Sequence, residues 1–186
     1  MITFYDARDP WGFFSNFSRH VVDIYGRTWM TSEHAFQAMK FHPHRPDLVT
    51  WVHSQTSPGK AAEAGRDPSK PLRPDWELPP EQVPLDYQPD DQFSRAGATI
   101  EPLFQRTKDV IMYEVCWAKF DQHRDLKEAL LSTGDQPLVE NAIHDPYWGW
   151  GTSTIGQNKL GRVLMAVRHS FRTGQGVPQC LTSNPA

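Results

Sequence analysis

The sequence has no long apolar run, few cysteines and little net charge, and each of these features excludes a class of protein. No segment supplies the roughly 20 consecutive apolar residues that a membrane-spanning helix needs, so we expect no membrane partner. The 19 basic and 22 acidic side chains leave a formal net charge of −3. This balance excludes the strongly basic surface typical of general nucleic-acid-binding proteins, although a local basic patch is compatible with it.

The chain also lacks the cysteine pattern of a disulfide-stabilised protein. It has 2 cysteines, Cys116 in an apolar segment and Cys180 in a polar one, which is too few for a disulfide framework. Residues 1–6 have neither the basic region nor the apolar core of a secretory signal peptide. We therefore predict a cytoplasmic protein.

No metal-binding or phosphate-loop motif stands out. His42 and His44 suggest a metal site with His34 or His53 as a third ligand. This H-x-H pair lies on a proline-rich loop without a second motif behind it, so we predict no metal and no other cofactor. The G-K-[ST] signature of a P-loop is missing as well.

The length and the hydrophobic patterning predict one domain of helices and short strands. A chain of 186 residues is long enough for one domain that buries about 70% of its unfolded surface. Short strand-like segments alternate with longer helical ones, and turn residues separate them. We predict a single compact, mostly helical domain with short strands over residues 1–173, a long irregular loop at 77–106 and a flexible tail at 174–186.

One helix near the N-terminus carries a polar stripe. It is predicted to begin at Thr31 or Ser32, either of which can cap the free N–H groups of the first turn. Side chains three and four residues apart share one side of a helix, and here these are Glu33, Gln37 and Lys40. A carboxylate, an amide and an amine in line could bind a polar ligand and act as acid, base or nucleophile. The alternative is an ordinary solvated helix face.

A shorter helix follows at residues 57–66. Ser57 caps it, Pro58 takes its first position and Gly65 marks its end. Arg66 then lies at the helix end, where it could bind a phosphate or simply interact with the helix dipole.

A loop rich in aromatic residues and glycine occupies residues 145–152. Trp148 is the best candidate there for stacking on a ligand, because glycines flank it, while Asp145 could act on a ligand or cap a turn. Glu140 lies on a strand that looks buried, which is unusual for a carboxylate without a partner. It could alternatively be a structural acid bound to Arg66 or Arg162.

The last long helix begins close to glycine residues. Asn158 is a suitable N-cap residue, and Gly161 allows something to approach the first turn closely. A helix start of this kind can bind an anion, so we expect a phosphate there.

Several of these segments together resemble the YbiA-like, or NADAR, family. The resemblance extends from about residue 3 to residue 172 and rests on motifs that are specific only in combination. They are G-F-F-S-N-F at 12–17, S-E-H-A-F-Q-A-M-K at 32–40, D-P-Y-W-G-W-G at 145–151 and G-Q-N-K-L-G-R-V-L-M at 156–165. The departure is the 77–106 stretch, which is longer than we expect in the family.

The resemblance implies a single compact, mostly helical α+β domain. It also implies an enzyme that hydrolyses N-glycosidic bonds to ribose. Two substrate classes are associated with such proteins: riboflavin-pathway intermediates that carry a ribosylamino-pyrimidine, and ADP-ribose attached to guanine. The implied catalytic residues are Glu33, Lys40 and Asp145. The implied substrate-binding residues are Ser15, Asn16, Phe17, Trp29, His34, Gln37, Arg66, Trp76, Glu140, Trp148, Gly149, Gly151, Asn158 and Gly161. Taken singly, each tryptophan could instead be a core residue, and Asn16 a turn residue.

Two mechanisms and two kinds of partner stay open. A carboxylate could stabilise an oxocarbenium-like state, or Lys40 could form a Schiff base with the sugar. A small nucleotide-like substrate requires a closed pocket. ADP-ribosylated guanine in nucleic acid requires an open groove with positive charge, for which the candidates are Arg66, Arg73, Arg95 and Arg106. The alternative function is a non-catalytic module that binds NAD or ADP-ribose, and the sequence leaves the oligomeric state open.

Overall fold

The structure is a computed structural model that describes residues 1–89, 100–152 and 156–182. In these ranges the chain forms seven α-helices, four short strands and a 3₁₀ turn at Gly12–Phe14, which confirms the predicted α+β, mostly helical fold. None of these helices is long and apolar enough to cross a membrane. The elements are β1 (Ile2–Phe4), β2 (Val22–Ile24), β3 (Arg27–Trp29), α1 (Ser32–Met39), α2 (Pro46–His53), α3 (Pro58–Gly65), α4 (Thr107–Gln122), α5 (Arg124–Ser132), β4 (Leu138–Glu140), α6 (Lys159–Thr173) and α7 (Gln179–Thr182).

The hydrophobic core is built around α4 and α6. Helix α4 is apolar on most sides and packs against α6, α1 and β2, with Ile111, Met112 and Val115 buried. Helix α6 turns Val163 and Leu164 towards it. Each such side chain stabilises the fold by about 1.5–3 kcal/mol through its burial. The two helices therefore form a rigid support against which α1 lies.

A two-stranded parallel sheet joins the N-terminal strand to a strand that precedes α6. Strand β1 pairs with β4, so that Phe4 lies opposite Glu140. The N–H of Asn141 extends this pairing by donating to the carbonyl of Phe4 at 2.9 Å. Glu140 is consequently fixed at the end of a paired strand, directly before the loop that contains Trp148.

The strand-like segments 21–25 and 28–29, separated by Gly26 and Arg27 as turn residues, predict a hairpin. The hairpin is present, but its turn lies one residue earlier than expected. Strands β2 and β3 are antiparallel, with Ile24 opposite Arg27. The turn residues are Tyr25 and Gly26, with φ values of 54° and 70°. Two positive φ angles in succession are typical of the tight type I′ turn that fits the twist of a hairpin. Arg27 therefore belongs to β3 instead of the turn.

A buried lysine holds the N-terminal loop on α4. The Nζ atom of Lys119 donates to the carbonyl oxygens of Phe13 and Ser15 at 2.5 and 3.0 Å and to the hydroxyl of Ser18 at 2.7 Å. Burial lowers the pKa of this lysine to about 8. Three acceptors satisfy the three donors of the ammonium group, which a buried charge requires. Asn16 is fixed in place by this loop.

A second buried lysine holds the long loop that was predicted at 77–106. The described parts of this loop, 77–89 and 100–106, contain no helix or strand, and residues 90–99 lie outside the described residues. Lys159 donates to the carbonyls of Pro102 and Leu103 at 2.6 and 3.1 Å and forms an ion pair with Asp109 at 3.4 Å. The end of the loop is thereby fixed to the starts of α4 and α6.

The segment predicted to be a flexible tail packs against the body as far as it is described. The hydroxyl of Tyr113 donates to the carbonyl of Gly176 at 2.7 Å, Pro178 is buried, and α7 follows. The polar composition of this segment gave no sign of these contacts, because they depend on a partner on α4. Residues 183–186 lie outside the described part of the chain.

Candidate active site

A pocket of about 270 Å³ lies where α1, the end of α3, α4, β4 and the loop after β4 meet. The predicted site residues that line it are Asn16, Phe17, Glu33, Gln37, Lys40, Arg66, Trp76, Glu140, Asp145 and Trp148. The remaining lining residues are Phe36, Leu72, Glu77, Lys108, Met112 and Leu160. Residues that lie far apart in the sequence thus converge on one pocket.

Helix α1 turns its polar stripe into this pocket. The hydroxyl of Thr31 caps the helix by accepting from the N–H of His34 at 3.4 Å. Glu33 and Gln37 are 5% and 4% exposed, which excludes a solvated helix face for these two residues. The amide of Gln37 donates to Oε1 of Glu33 at 2.7 Å, so the carboxylate has a fixed orientation.

Lys40 lies one helical turn further along the same face. Its Nζ atom donates to the carbonyl of Gly65 at 3.0 Å, which connects α1 with the end of α3. Burial lowers the pKa of Lys40 to about 8, and the nearby cations Arg66 and Lys108 act in the same direction. Glu33 opposes the shift, but the loss of hydration is the larger effect.

Two carboxyl groups of the pocket, those of Glu140 and Glu33, are biased towards their protonated forms. Burial, together with the charges of Asp145 and Glu33, raises the pKa of Glu140 to about 8. The Oε2 atom of Glu140 is buried and has no hydrogen-bond partner in the part of the chain that the structure describes. Burial also raises the pKa of Glu33, while the hydrogen bond from Gln37 opposes this shift. The pocket therefore combines a weakly basic amine with acids that can hold a proton near neutral pH.

Asp145 and the tryptophans form the opposite wall. Oδ1 of Asp145 accepts from the N–H groups of Tyr147 and Trp148 at 3.0 and 2.9 Å, so this residue both caps a turn and lines the pocket. Phe36 packs edge-on against Trp148 and at a tilt against Trp76, with ring centres 5.3 Å apart in each pair. These aromatic groups offer a planar, apolar surface to a base.

Besides Lys40, two cations line the pocket, and of these two the sequence indicated only Arg66. Arg66 is exposed at the end of α3. Lys108, in the first turn of α4, forms an ion pair with Glu77 at 2.8 Å and lies 3.9 Å from the ring centre of Tyr147. No sequence motif marks Lys108, which follows an irregular loop, as a site residue. Only the fold shows that it lines the pocket.

Among the described residues, no group of three or more His, Cys, Asp or Glu side chains could hold a metal ion. The side chains that line the pocket are instead suited to acid–base chemistry and to contacts with an aromatic base and an anion.

A family model described as the NADAR domain matches residues 3–172. The chain belongs to the NADAR domain family. The match includes the whole pocket and both buried lysines of the scaffold.

Individual relatives carry more specific names. An N-glycosidase of Nostoc punctiforme is 36% identical over 172 residues, 92% of this chain and 92% of the relative. N-glycosidase YbiA of Escherichia coli is 38% identical, over 92% of this chain and 88% of the relative. The NMR structure of Escherichia coli YbiA matches with a TM-score of 0.71 and 35% identity, covering 93% of this chain and 85% of that one. A chloroplastic riboflavin biosynthesis protein of Zea mays, named PYRR, is 34% identical over 90% of this chain but only 25% of its own length.

Three predicted binding residues of this NADAR domain support the pocket without lining it. Trp29 is fully buried and donates from Nε1 to the carbonyl of Ile24 at 3.0 Å. The ring nitrogens of His34 lie 2.8 Å from the hydroxyl of Thr31 and 3.1 Å from the carbonyl of Gln55. Ser15, the residue before Asn16, is buried, and its carbonyl accepts a hydrogen bond from Lys119 of α4.

Asn158 and Gly161 bind β4 to α6 and also lie outside the pocket lining. The side chain of Asn158 does not cap α6; it accepts from the N–H of Glu140 at 3.0 Å and donates to the carbonyl of Leu138 at 2.9 Å. A Cβ atom on Gly161 would lie 2.2 Å from that carbonyl. The space at Gly161 is therefore filled by β4, and both residues position Glu140.

The helix start that we expected to hold a phosphate is occupied by the protein itself. The N–H groups of Lys159 and Leu160 donate to the carbonyls of Tyr147 and Trp148 at 3.1 and 3.0 Å. These N–H groups, which we expected to bind a phosphate, already donate to backbone carbonyls. The cations that line the pocket of the NADAR domain, and not this helix start, are thus available to bind an anion.

Gly149 and Gly151 shape the loop that carries Trp148, and neither lines the pocket. A Cβ atom on Gly149 would lie 2.7 Å from that of Ala142, and Gly151 has a φ of +66°. The absence of a side chain allows the loop to fold tightly against β4, which fixes the position of Trp148.

Proposed function

We propose that this protein is an N-glycosidase that acts on a small ribosylamino-pyrimidine phosphate of the riboflavin-intermediate type. The observation that carries the proposal is the partly buried amine of Lys40, which faces a pocket together with four carboxyl groups and an aromatic wall. N-glycosidase is also the name of the relatives that match this chain over most of their length.

The size of the pocket favours a small substrate over ADP-ribosylated nucleic acid. Its volume of about 270 Å³ lies slightly below the range that is common for ligand sites, about 300–1,000 Å³. The riboflavin biosynthesis proteins of Zea mays and Vibrio vulnificus, of which this chain spans 25% and 38%, support the same substrate class.

Two of the three described arginines that an open nucleic-acid groove would need are paired with carboxylates. Arg73 binds Asp75 at 2.6 Å, and Arg106 lies 3.4 Å from Glu101 and 3.7 Å from Glu77. Arg95 lies outside the described residues. An arginine with a carboxylate partner attracts a nucleic-acid phosphate less strongly.

In the proposed covalent route, Lys40 acts as the nucleophile. With a pKa of about 8, roughly one tenth of its amine groups are neutral at pH 7, against roughly one in 3,000 at the ordinary 10.5. The neutral amine adds to C1 of the ring-opened sugar, and the bond from C1 to the base nitrogen then breaks. The base leaves as an amine, and a Schiff base joins C1 to Nζ. Water hydrolyses this bond, which releases ribose phosphate as the aldehyde and restores the lysine.

The carboxyl groups supply protons and charge in this scheme. Glu140, which is largely protonated near neutral pH, donates a proton to the departing base nitrogen. Glu33 and Asp145 stabilise the positive charge that develops at C1. If Lys40 only binds the substrate, the same two carboxylates support the alternative route through an oxocarbenium-like state.

The activity is tested with a mass-spectrometric product assay. The protein is incubated separately with a ribosylamino-pyrimidine phosphate and with an oligonucleotide that carries ADP-ribosylated guanosine. We expect free pyrimidine and ribose phosphate from the first and no ADP-ribose from the second. Lys40→Ala abolishes release, whereas Lys60→Ala, which removes an exposed lysine of α3, retains it.

The outcomes separate the competing functions. Release of ADP-ribose from the oligonucleotide would contradict the small substrate. Calorimetric binding of NAD or ADP-ribose without product from either substrate would favour a non-catalytic module. Borohydride, which reduces a Schiff base to a stable amine, should attach the ribose phosphate to the Lys40 peptide. Full turnover without this adduct would contradict the covalent route.

A further inference from the structure

We propose that Gly65 is a positioning residue for the active site, where its missing side chain lets Gln37 orient Glu33 while its carbonyl holds Lys40. The inference rests on the proposed function for its catalytic consequence, and on the packing of α1 against α3 for its geometry. Gly65 does not line the pocket itself.

The backbone conformation does not explain why this residue is glycine. Gly65 is the last residue of α3, and it is not among the residues with positive φ. Alanine would therefore be acceptable to the backbone, and it is the better helix former by about 1 kcal/mol. The reason for glycine must lie in what the residue touches.

The contact that requires glycine is the side chain of Gln37. A Cβ atom on Gly65 would lie 2.0 Å from Oε1 of Gln37, 2.8 Å from its Cδ and 2.9 Å from its Cβ. The first two contacts could be relieved by rotating the amide away. The third involves an atom fixed to the backbone of α1, so the two helices would also have to separate by some tenths of an ångström.

Both responses disturb groups that take part in the proposed reaction. Rotation of the Gln37 amide breaks its 2.7 Å hydrogen bond to Glu33. Separation of the helices lengthens the 3.0 Å hydrogen bond from Lys40 to the carbonyl of Gly65. One added methyl group thus misplaces the carboxylate and the amine together.

The test is Gly65→Ala, with Gly59→Ala as the matched control. Gly59 lies in the same helix, where an added Cβ atom meets nothing closer than the hydroxyl of Ser57 at 4.0 Å. We expect kcat on the ribosylamino-pyrimidine phosphate to fall on the order of tenfold to a hundredfold for Gly65→Ala, which is typical of misplaced reacting groups. Gly59→Ala should keep kcat within about twofold, as expected for an open surface position. An unchanged kcat in folded Gly65→Ala would overturn the proposal.

A double-mutant cycle shows whether the effect acts through Gln37. In a Gln37→Ala background the contacts with Oε1 and Cδ no longer exist, so adding Gly65→Ala should lower kcat by a smaller factor than in the wild type. Equal factors in the two backgrounds would overturn the proposal. If Gly65→Ala does not fold, Gln37→Ala alone still tests the orientation of Glu33, and wild-type kcat in this variant would refute it.

A measurement without substrate separates this inference from the proposed function. The pH dependence of Lys40 acetylation by acetic anhydride, followed by peptide mass spectrometry, reports the basicity of the amine. Gly65→Ala should move the midpoint to lower pH, because the carbonyl that accepts from the ammonium form is displaced. If the wild type releases no base but this shift occurs, the proposed function fails and the positioning role stands. An unchanged midpoint together with an unchanged kcat overturns the role itself.

Discussion

Replacing Glu140 by glutamine should make the protein more stable at neutral pH while it makes the enzyme slower. The folded state raises the pKa of this carboxyl from 4.5 to about 8, chiefly by burial. Between these two pH values the folded chain keeps a proton that the unfolded chain has lost. The free energy of unfolding therefore falls as pH rises through this window, by about 1.4 kcal/mol per pH unit.

The size of the effect follows from that window. Integrated from pH 4.5 to pH 7, the ionisable carboxyl costs the folded state about 3 kcal/mol. Glu140→Gln keeps the shape and the neutral charge, and the hydrogen bond from its backbone N–H to Asn158 is unaffected. The variant should thus gain up to about 3 kcal/mol at pH 7 and almost nothing at pH 4.5.

The assay is urea denaturation of both proteins at pH 4.5 and pH 7. Glu81→Gln, at an exposed glutamate, serves as the control and should change the free energy of unfolding equally at both pH values. The same Glu140→Gln protein should release base more slowly, because an amide cannot supply the proton that the leaving nitrogen needs. A difference in stability that does not depend on pH would refute the burial of a protonated carboxyl here.

Three further predictions follow from the pocket and its scaffold. The kcat of the wild type should rise from pH 6 to about 8 as Lys40 loses its proton; a flat pH–rate profile would argue against an amine nucleophile. Arg66→Ala should raise KM about tenfold by removing a charged contact to phosphate, whereas Arg73→Ala, whose guanidinium already binds Asp75, should leave KM within about twofold. Lys119→Ala should lower the free energy of unfolding by about 3 kcal/mol or more, measured by denaturant titration, because it removes three hydrogen bonds of one buried ammonium group.

Local chemistry made α1 predictable. Thr31 caps the helix through a short-range contact, and the three- and four-residue spacing of Glu33, Gln37 and Lys40 places them on one side whatever surrounds the helix. The hairpin was predictable for the same reason, except that Tyr25 takes a positive φ that its residue type rarely adopts. These features depend on neighbours only a few residues away.

The supporting roles of several predicted binding residues were not predictable. Asn158 has the residue type of an N-cap, yet its side chain binds the strand that carries Glu140. Gly161 has the residue type of an anion loop, yet it contacts the carbonyl of Leu138. In both cases the partner is β4, which contacts the side chain of Asn158 or fills the space beside Gly161. The local sequence pattern alone would leave both available to a ligand.

The sequence by itself determined the α+β class, the family and the set of polar residues from which a glycosidase site could be built, because helix periodicity, capping and motif spacing are properties of short segments. Only the tertiary structure decided which of these residues share a pocket, since α4, β4 and the 145–151 loop must first be packed against α1. It also decided that Lys40 is a weak base and Glu140 a weak acid. Both pKa shifts arise mainly from lost hydration, and hydration is fixed by the whole fold and not by neighbours in the chain.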